Sequence, residues 1–422
     1  MTGSDQRLPA ASQPRLPREV WVLVAANFVI AAGFGIVAPA IPTFARSFDV
    51  SVTAASFVIS AFALARLIFA PVAGRLVTAM GERKVYLAGL LIVAVSTGAC
   101  AFAQNYGQLV GFRAAGGIGS TMFTVSAVGL LIHLTPPALR GRAAGLFGTG
   151  FLLGNVAGPL AGSGLIEISL QAPFVAYAAA LLVAALFVWL LLRNSTLLAA
   201  TDEDATPAVA LPTALRDHSY RSALLANFAT GWAIFGVRVS LVPLFITEVL
   251  RRENSFAGIA FAVFAAANVI MLIPAGRLAD TIGRKPLVLA GLAMSGGGTV
   301  WVGVTDSVPE FVVATVLAGA GAGLLTPPNQ ATVADIVGSR GRGGPVLAAF
   351  QMAADVGAII GPIAAGVLAD QLSFAAAFAL TGALSLVAAL VWLPAKETLP
   401  PREEPHHPTP GQACEFDASE PR

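Results

Sequence analysis

Charged side chains are scarce in this chain of 422 residues: only 11% are Asp, Glu, Lys or Arg, whereas 56% are hydrophobic. A water-soluble domain is usually about 25% charged, so this chain cannot cover itself with a polar surface in water. A large soluble enzyme with several buried helices is therefore the poorer interpretation. The mean hydropathy is +0.78, and apolar runs recur that reach about 20 residues, enough to cross a bilayer as a helix. These features predict an all-α membrane protein.

Cysteine and histidine are also rare, with two and four residues. Cys100 lies in an apolar run and Cys414 lies near the C-terminus, so we expect neither a disulfide framework nor a metal site. The sequence has no GxxxxGK[ST] loop, which excludes ATP as the direct energy source, and no recognisable pair of nucleophile and base. We therefore expect neither an enzyme nor a cofactor, and no nucleic-acid partner. The first 18 residues do not have the order of a signal peptide.

Twelve apolar runs are separated by polar or Pro/Gly clusters, and each predicts a membrane span. The predicted spans are 20–44, 52–73, 85–104, 108–133, 142–165, 172–193, 221–248, 256–275, 286–304, 309–334, 345–368 and 373–393. They form two sets of six, at 20–193 and 221–395. Residues 1–19 would precede the first set, 194–220 would link the two sets, and 396–422, rich in Pro, Glu and His, would be a disordered tail.

The placement of basic residues predicts the orientation. With the N-terminus in the cytoplasm, most Lys and Arg residues outside the spans fall in cytoplasmic segments, among them Arg83, Lys84, Arg284 and Lys285. Basic residues that flank spans stay on the cytoplasmic side. We therefore expect a multi-pass protein of the inner (plasma) membrane with both termini in the cytoplasm.

The two sets of spans resemble each other in sequence. The letters ANF at 26–28 recur at 226–228, and GNVAGPLAG at 154–162 aligns with GAIIGPIAA at 357–365. The offset stays near 200 residues, which indicates a duplicated six-helix unit. Both copies begin on the same side, so they are parallel repeats related by an axis along the membrane normal.

A basic turn after the second span of each set carries the clearest motif. GRLADTIGRK begins at Gly276 and GRLVTAMGERK begins at Gly74. With these residues the chain resembles the major facilitator superfamily from about residue 20 to 395. That resemblance implies two six-helix bundles and a turn that helps to latch the bundles together on the cytoplasmic side.

The two copies of the turn fit the superfamily signature unequally. The second copy fits through Gly276, Leu278, Asp280, Gly283, Arg284 and Lys285, and the first through Gly74, Leu76, Gly81, Arg83 and Lys84. In the first copy Thr78 stands where the signature has Asp, and Glu82 stands where it has Arg. Glu82 could supply the missing carboxylate from one helical turn away. The alternative is that both turns are only cytoplasmic anchors placed by the positive-inside rule.

The fifth span carries a second motif, which resembles the antiporter motif of drug–proton antiporters. Its members are Gly145, Gly154, Gly158, Pro159 and Gly162. Gly154 and Gly158 form a GxxxG pair that lets a neighbouring helix approach closely, and Pro159 permits a bend. Such a helix suits rocking of one half on the other, although ordinary small-residue packing would give the same pattern.

Four charged residues lie inside predicted spans: Arg66, Arg113, Arg238 and Asp355. A charge in a span is costly and usually faces a cavity or a partner. Asp355 is the one acid near a span centre, so we expect it to carry proton coupling, with Arg113 or Arg238 as its partner. Arg113 also matches an Arg-x-x-x-Gly element of the superfamily. The arginines could instead snorkel to an interface.

Polar side chains in the spans could line a central cavity between the two halves. The candidates are Asn27, Arg66, Asn155, Asn227, Trp232, Arg238, Asn268, Asn329, Gln330 and Gln351. Amide side chains in spans also serve as hydrogen-bonding links between helices, so each has two possible roles.

The sequence thus predicts a secondary transporter, expected to be a monomer in the lipid bilayer, that exports small apolar or amphipathic compounds in exchange for protons. One alternative is a symporter or facilitator for a polar or anionic metabolite, in which Arg66 and Arg238 would be ligands. A membrane enzyme or sensor that does not transport is the other alternative. It would need a catalytic constellation or a soluble domain, and the sequence shows neither.

Overall fold

A computed structural model describes residues 16–135, 139–192, 211–337 and 344–399. Within these ranges the chain is helical with no strand. The membrane-length helices are α1 (Arg18–Arg46), α2 (Val52–Met80), α3 (Glu82–Ala101), α4 (Tyr106–His133), α5 (Arg140–Ile168), α6 (Ala172–Leu192), α7 (His218–Glu248), α8 (Phe256–Ala279), α9 (Arg284–Val304), α10 (Val308–Val337), α11 (Gly344–Gln371) and α12 (Phe374–Trp392).

The prediction of twelve spans is confirmed, because the described residues contain 12 helices long and apolar enough to cross a membrane. Several helices continue past the predicted apolar runs. Helix α2, for example, ends at Met80, although the predicted span ended at 73. A helix can continue beyond the hydrocarbon region because it satisfies its own backbone hydrogen bonds there as well.

The helices form two six-helix bundles, α1–α6 and α7–α12. Equivalent helices pack in the same way in each bundle: α3 packs on α4 as α9 packs on α10, and α1 packs on α5 as α7 packs on α11. Between the bundles, α2 packs on α11 and α5 packs on α8. These two contacts have equivalent positions, as expected for parallel repeats.

The predicted linker and tail are partly described. The predicted linker, 194–220, contains a short helix at Leu211–Ala214, and α7 already begins at His218. Residues 193–210 and 400–422 lie outside the described residues. The predicted tail nevertheless begins with a defined contact, because Glu397 accepts hydrogen bonds from the backbone N–H groups of Arg284 (2.8 Å) and Lys285 (3.0 Å).

The turns between α2 and α3 and between α8 and α9 need glycine. Gly81 has φ 81° and Gly283 has φ 115°, a backbone conformation that side chains with a Cβ rarely adopt. Each glycine directly precedes the first residue of the next helix, Glu82 or Arg284. The repeated glycine of the motif is therefore explained by the backbone of the turn.

The molecule has two faces, one at each end of the membrane-length helices. The basic face is the end at which α1 begins and α12 ends, and Arg83, Lys84, Arg284 and Lys285 lie there. At the opposite face the bundles bond to each other. Asp370 accepts from the backbone N–H of Val52 (2.9 Å) and of Thr53 (2.8 Å), the start of α2.

Further contacts between the bundles lie near the same face. Arg46 Nη2 is 3.3 Å from Glu248 Oε1, which joins the ends of α1 and α7. The Ser163 hydroxyl on α5 donates to the carbonyl of Ser255 just before α8. The described contacts therefore join the bundles at the opposite face.

Candidate substrate cavity and charged groups

A cavity of ≈ 560 Å³ lies between the two bundles, on the basic-face side of these contacts. Its walls come from α1, α5, α7, α8, α10 and α11. Ligand pockets are usually about 300–1,000 Å³, so the cavity is large enough for a drug-sized molecule. The aromatic part of its wall consists of Phe34, Phe151, Phe235, Phe261, Phe264 and Phe350. Such a wall suits apolar or amphipathic compounds.

Most of the predicted cavity residues line this space. They are Asn155, Asn227, Arg238, Asn268, Asn329, Gln330 and Gln351. Asn27, Arg66 and Trp232 are not part of its lining. Trp232 is buried and its Nε1 donates to Thr381 Oγ1 (3.2 Å) on α12, so it packs within the second bundle.

Two equivalent asparagines link helices at their backbones. Asn27 Nδ2 donates to the Phe147 carbonyl (2.8 Å), and Asn227 Nδ2 donates to the Phe350 carbonyl (2.6 Å). The first bond joins α1 to α5 and the second joins α7 to α11. Asn227 thus has both expected roles, because it borders the cavity and holds the helices that form it.

Arg238 follows an irregular part of α7. Residues Gly231–Val237 form a π-helix, and Arg238 is the next residue. π-Helical turns occur often at functional sites. The guanidinium carbon of Arg238 lies 3.5 Å from the centre of the Phe264 ring and 5.4 Å from that of Phe261. Its Nη2 donates to the Ala260 carbonyl (3.2 Å).

Asp355 is half-buried on α11, directly after Ala354, which lines the cavity. The cation within electrostatic reach of its carboxylate is Arg66 on α2. Arg66 Nη1 also donates to Ser120 Oγ (3.0 Å). The expected partners were Arg113 and Arg238, whereas the charged neighbour that acts on Asp355 through space is Arg66 of the other bundle, without a direct ion pair between them in the described residues.

Arg113 has different surroundings. It is buried on α4 with its guanidinium carbon 4.4 Å from the centre of the Phe62 ring. Its titratable neighbours are Cys100 and Tyr177, and its Nε has no hydrogen-bond partner in the described part of the chain. Arg113 is therefore placed inside the first bundle, away from Asp355.

The glycine–proline motif of α5 lies against α1. A methyl group added at Gly158 would lie 2.2 Å from the Ala32 carbonyl oxygen, so the two helices can touch there only without a side chain. Gly154 and Gly162 face α1 in the same way, whereas no atom lies within 4 Å of such a methyl at Gly145. Pro159 lines the cavity. The motif therefore sits where α5 borders both α1 and the cavity.

The basic turn of the second bundle holds a network of charges. Arg284 Nη1 is 2.7 Å from Asp280 Oδ1, and Arg284 Nε is 3.2 Å from Asp335 Oδ2 on α10. Glu397 adds a carboxylate at the start of α9. Lys285 Nζ donates to the Leu393 carbonyl (2.6 Å) at the end of α12. This turn thus ties α8, α9, α10 and the segment after α12 together.

The basic turn of the first bundle holds a different pair. Glu82 Oε1 is 3.1 Å from His133 Nδ1, which joins the start of α3 to the end of α4. Thr78 takes the place of Asp280, and its hydroxyl donates to the Gly74 carbonyl (3.2 Å) within α2. Glu82 therefore does not replace the missing carboxylate at position 78 but pairs with a residue on another helix.

Sequence reasoning missed several of these polar residues, namely His133, Glu248, Asp335, Asp370 and Glu397. The repeat offset could have pointed to two of the contacts. His133 and Asp335 stand 202 residues apart, and so do the paired residues Arg46 and Glu248. Arg46 and Glu248 contact each other across the bundles, whereas His133 and Asp335 each pair within their own bundle, with Glu82 and Arg284. No comparable signal marks Asp370 or Glu397.

The described residues contain no group of three or more His, Cys, Asp or Glu side chains that could hold a metal ion. Cys100 is a buried free thiol in this part of the chain. The side chains that line the cavity are therefore amides, hydroxyls, one arginine and apolar groups.

Comparisons with known proteins agree with this architecture. The family description "Major Facilitator Superfamily" matches residues 23–252 and 223–415. The multi-drug resistance efflux pump PmrA of Streptococcus pneumoniae is 24% identical over 362 residues, which are 83% of this chain and 89% of PmrA. Multidrug resistance protein 1 of Bacillus subtilis is 30% identical over 173 residues. That match spans less than half of either protein, 41% of this chain and 44% of the relative.

A solved structure has the same fold. It is a bacterial homologue of the human lysosomal transporter Spinster, in an inward-facing and unoccupied conformation. Its TM-score is 0.73 with 18% identity, and the match covers 90% of this chain and 97% of that one.

Proposed function

Because the chain belongs to the Major Facilitator Superfamily, we propose that it is a proton-coupled exporter of small apolar or amphipathic compounds that works by alternating access. The observation that carries the proposal is the cavity of ≈ 560 Å³ between the bundles, with its aromatic wall and dispersed amides. Such a site can hold many compounds by apolar contact and a few hydrogen bonds. The names of PmrA and of the Bacillus subtilis relative support export of drugs.

The orientation follows from the charges. The basic face is cytoplasmic in this proposal, because basic residues that flank spans stay on that side. The contacts that join the bundles lie at the opposite face, and the cavity lies on the cytoplasmic side of them. The structure then corresponds to an inward-facing state that can take up compounds from the cytoplasm.

Labelling of single cysteines tests this orientation. The background is a chain without Cys414. Cysteines at Thr201 and Pro405, which lie outside the described residues, should react only from the cytoplasmic side. A cysteine at Asn254, between α7 and α8, should react only from outside. Reaction of the Asn254 cysteine from the cytoplasm would refute the orientation.

Asp355 and Arg66 are the proposed coupling pair. An ionised Asp355 attracts Arg66 on α2, and a protonated Asp355 does not. Because α2 and α11 belong to different bundles, the protonation state biases how the bundles meet, which is the two-state behaviour that a coupled carrier needs. Proton entry from outside would then favour the return of the carrier after release of the compound.

A transport assay in cells tests the proposal. Cells that overexpress the chain should accumulate less of some compounds in a panel of apolar, cationic and anionic dyes than cells with an empty vector. An uncoupler that dissipates the proton gradient should abolish the difference. If expression changes the accumulation of no compound in the panel, export of this class is refuted.

One observation favours a second candidate function. Arg238 is a cation in the cavity wall, which is what a carrier of anionic metabolites would require. In that case cells that express the chain should take up a small carboxylate or phosphate ester faster than control cells, and the same assay with radiolabelled metabolites would show it.

A further inference from the structure

The charge of the cavity wall is one-sided. Among the described residues that line the cavity, Arg238 is the one ionisable side chain, and the rest are apolar groups, amides and hydroxyls. Asp355 follows Ala354 of the cavity wall, but neither Asp355 nor Arg66 is part of the lining. The wall therefore presents a positive charge and no negative one to a bound molecule.

Arg238 has no carboxylate partner within the part of the chain that the structure describes. A guanidinium has five N–H donors, and within the described residues its Nη2 donates to the Ala260 carbonyl. Phe264 and Phe261 stack against the cation. Aromatic faces and a carbonyl stabilise a cation but leave its net charge in place.

A second, smaller space next to Arg238 does not change this charge. It measures ≈ 20 Å³ and is bordered by Ser295, Thr299 and Thr315. A space of roughly this size holds about one water. The remaining N–H groups of Arg238 can therefore donate to neutral oxygens, those of a water or of the hydroxyl side chains. None of these groups is an anion, and an unpaired cation within a membrane is costly.

The charge also breaks the symmetry of the two bundles. Arg238 corresponds to Val37 in the first repeat, which is buried and apolar. The cavity therefore has a cationic side on α7 and a neutral side on α1. A molecule with one charged end and an apolar body would be held in a single orientation by such a wall.

We propose that the cavity selects amphipathic anions, in which a carboxylate, sulfonate or phosphate group binds Arg238 and an aromatic or aliphatic body lies on the phenylalanine wall. The guanidinium forms paired hydrogen bonds with planar or tetrahedral oxyanions, which a water or a carbonyl does not offer. This inference rests on the proposed export function and names its substrate class.

Equilibrium binding of two matched probes tests the proposal. 1-Anilinonaphthalene-8-sulfonate carries a sulfonate, and N-phenyl-1-naphthylamine has the same rings without it. Binding is measured to the full chain in phosphatidylcholine nanodiscs, and binding to empty nanodiscs is subtracted. A charge-assisted contact should make the sulfonate at least about tenfold tighter than the neutral probe.

Variants assign the preference to Arg238. Arg238→Met should bring the ratio of the two dissociation constants close to one, and Arg238→Lys should keep part of it. Arg277→Met is the matched control, because it removes an arginine from the exposed end of α8 outside the cavity. It should keep the full ratio. If Arg238→Met does not fold, the comparison of the natural chain with Arg238→Lys tests the assignment: a smaller ratio of the two dissociation constants in Arg238→Lys supports it, and an equal ratio refutes it.

Two results would overturn the proposal. One is equal affinity of the natural chain for both probes, and the other is a sulfonate preference that survives in Arg238→Met. A lipid headgroup could supply the same anionic chemistry, so dihexanoyl phosphatidylglycerol is added as a competitor. Complete displacement of the sulfonate probe at equal concentration would assign the site to lipid and refute a substrate site.

The test separates this inference from the proposed function. A protein that prefers the sulfonate but lowers the accumulation of no compound in cells would refute export and keep the anion site. A protein that exports compounds but binds both probes equally would refute the anion site alone.

Discussion

Glu82 and Arg284 occupy the same position in the two repeats, 202 residues apart, and each begins the third helix of its bundle after a glycine with positive φ. Their partners, His133 and Asp335, are also 202 residues apart. Each pair joins the third helix to the fourth on the basic face. The acid and the base have exchanged places between the two bundles, while the backbone and the contact have stayed.

This difference shows which property of the turn the fold requires. In both bundles the third and fourth helices are joined by opposite charges, and either helix can supply the acid. The consequences differ, however. Arg284 is always charged, whereas an imidazole is charged only when protonated. The second turn is therefore centred on a cation that keeps its charge, and the first has a histidine at the position of Asp335.

The largest expected effect comes from removing the central cation of the second turn. Arg284 is buried and bonds both Asp280 and Asp335. Arg284→Met leaves these carboxylates without their cation and should lower the free energy of unfolding by about 3 kcal/mol. The equivalent change, Glu82→Gln, breaks a more exposed pair and should cost under about 1 kcal/mol. Thermal unfolding of both variants in detergent measures the difference, and equal losses would contradict the contrast drawn between the turns.

The second prediction concerns Asp280, which is exposed apart from its contact with Arg284. Asp280→Asn should weaken closure of the basic face and lower the transport rate, by about fivefold if the lost pair is worth about 1 kcal/mol. Folding should change little, because Asp335 still pairs with Arg284. Initial transport rates in vesicles check this, and a normal rate would leave the turn with the role of a topology anchor.

Thr78 offers the matched control for Asp280. Thr78→Asp places a carboxylate at the equivalent position of the first turn, where Glu82 rather than an arginine follows four residues later. We expect it to be tolerated or to stabilise closure slightly, with a transport rate within about twofold of normal. A transport rate as low as that of Asp280→Asn would contradict this prediction and show that a carboxylate at position 78 impairs transport.

The third prediction exchanges the charges of the first turn. Glu82→Arg alone places a guanidinium next to His133 and should lower the free energy of unfolding by up to about 1 kcal/mol. The double variant Glu82→Arg with His133→Asp has the arrangement of the second turn and should recover the lost free energy. The double-mutant cycle is measured by thermal unfolding. Additive losses in the double variant would mean that the two residues do not interact.

The smallest effect is expected at Glu397, which contributes a carboxylate to the second turn; the equivalent segment of the first bundle lies outside the described residues. Partial burial alone would raise the pKa of Glu397, but hydrogen bonds from the backbone N–H groups of Arg284, Leu399, Lys285 and Thr398 outweigh it and hold the pKa below its ordinary range. A lowered pKa means that the contact stabilises the fold above the ordinary pKa of a glutamate and loses this contribution as the pH falls through the lowered value.

Glu397→Gln tests that contact. The variant should lower the thermal midpoint slightly near neutral pH, and the difference from the natural chain should shrink under acid conditions, where Glu397 is protonated. A difference that is constant with pH would show that the ionised carboxylate contributes nothing.

Much of the fold could be predicted from the sequence, because apolar runs of membrane length and the positions of glycine and proline depend on local physics. The twelve helices and the repeat follow from such patterns. The same patterns placed Asn268, Gln330 and Gln351 at the cavity, since a polar side chain in a span needs a polar or open neighbour.

The partners of the charged residues could not be predicted in this way. Asp355 has Arg66 of the other bundle as its charged neighbour through space, and Asp370 bonds the start of α2. Both contacts join residues about 300 positions apart in the chain, and they depend on how the two bundles dock. The repeat symmetry gives no guidance there, because the residues concerned differ between the repeats.

Proton coupling through Asp355 is the central claim, and uphill transport in proteoliposomes tests it most directly. The substrate is a compound that the cell assay identifies. The protein is inserted with its basic face on the outside of the vesicles, and the vesicle lumen is made acidic. The natural chain should accumulate the compound against its gradient. Asp355→Asn, which resembles the permanently protonated form, should bind the compound and exchange it but accumulate none. Accumulation by Asp355→Asn at the natural rate would contradict the account and leave Asp355 with a structural ion-pair role beside Arg66.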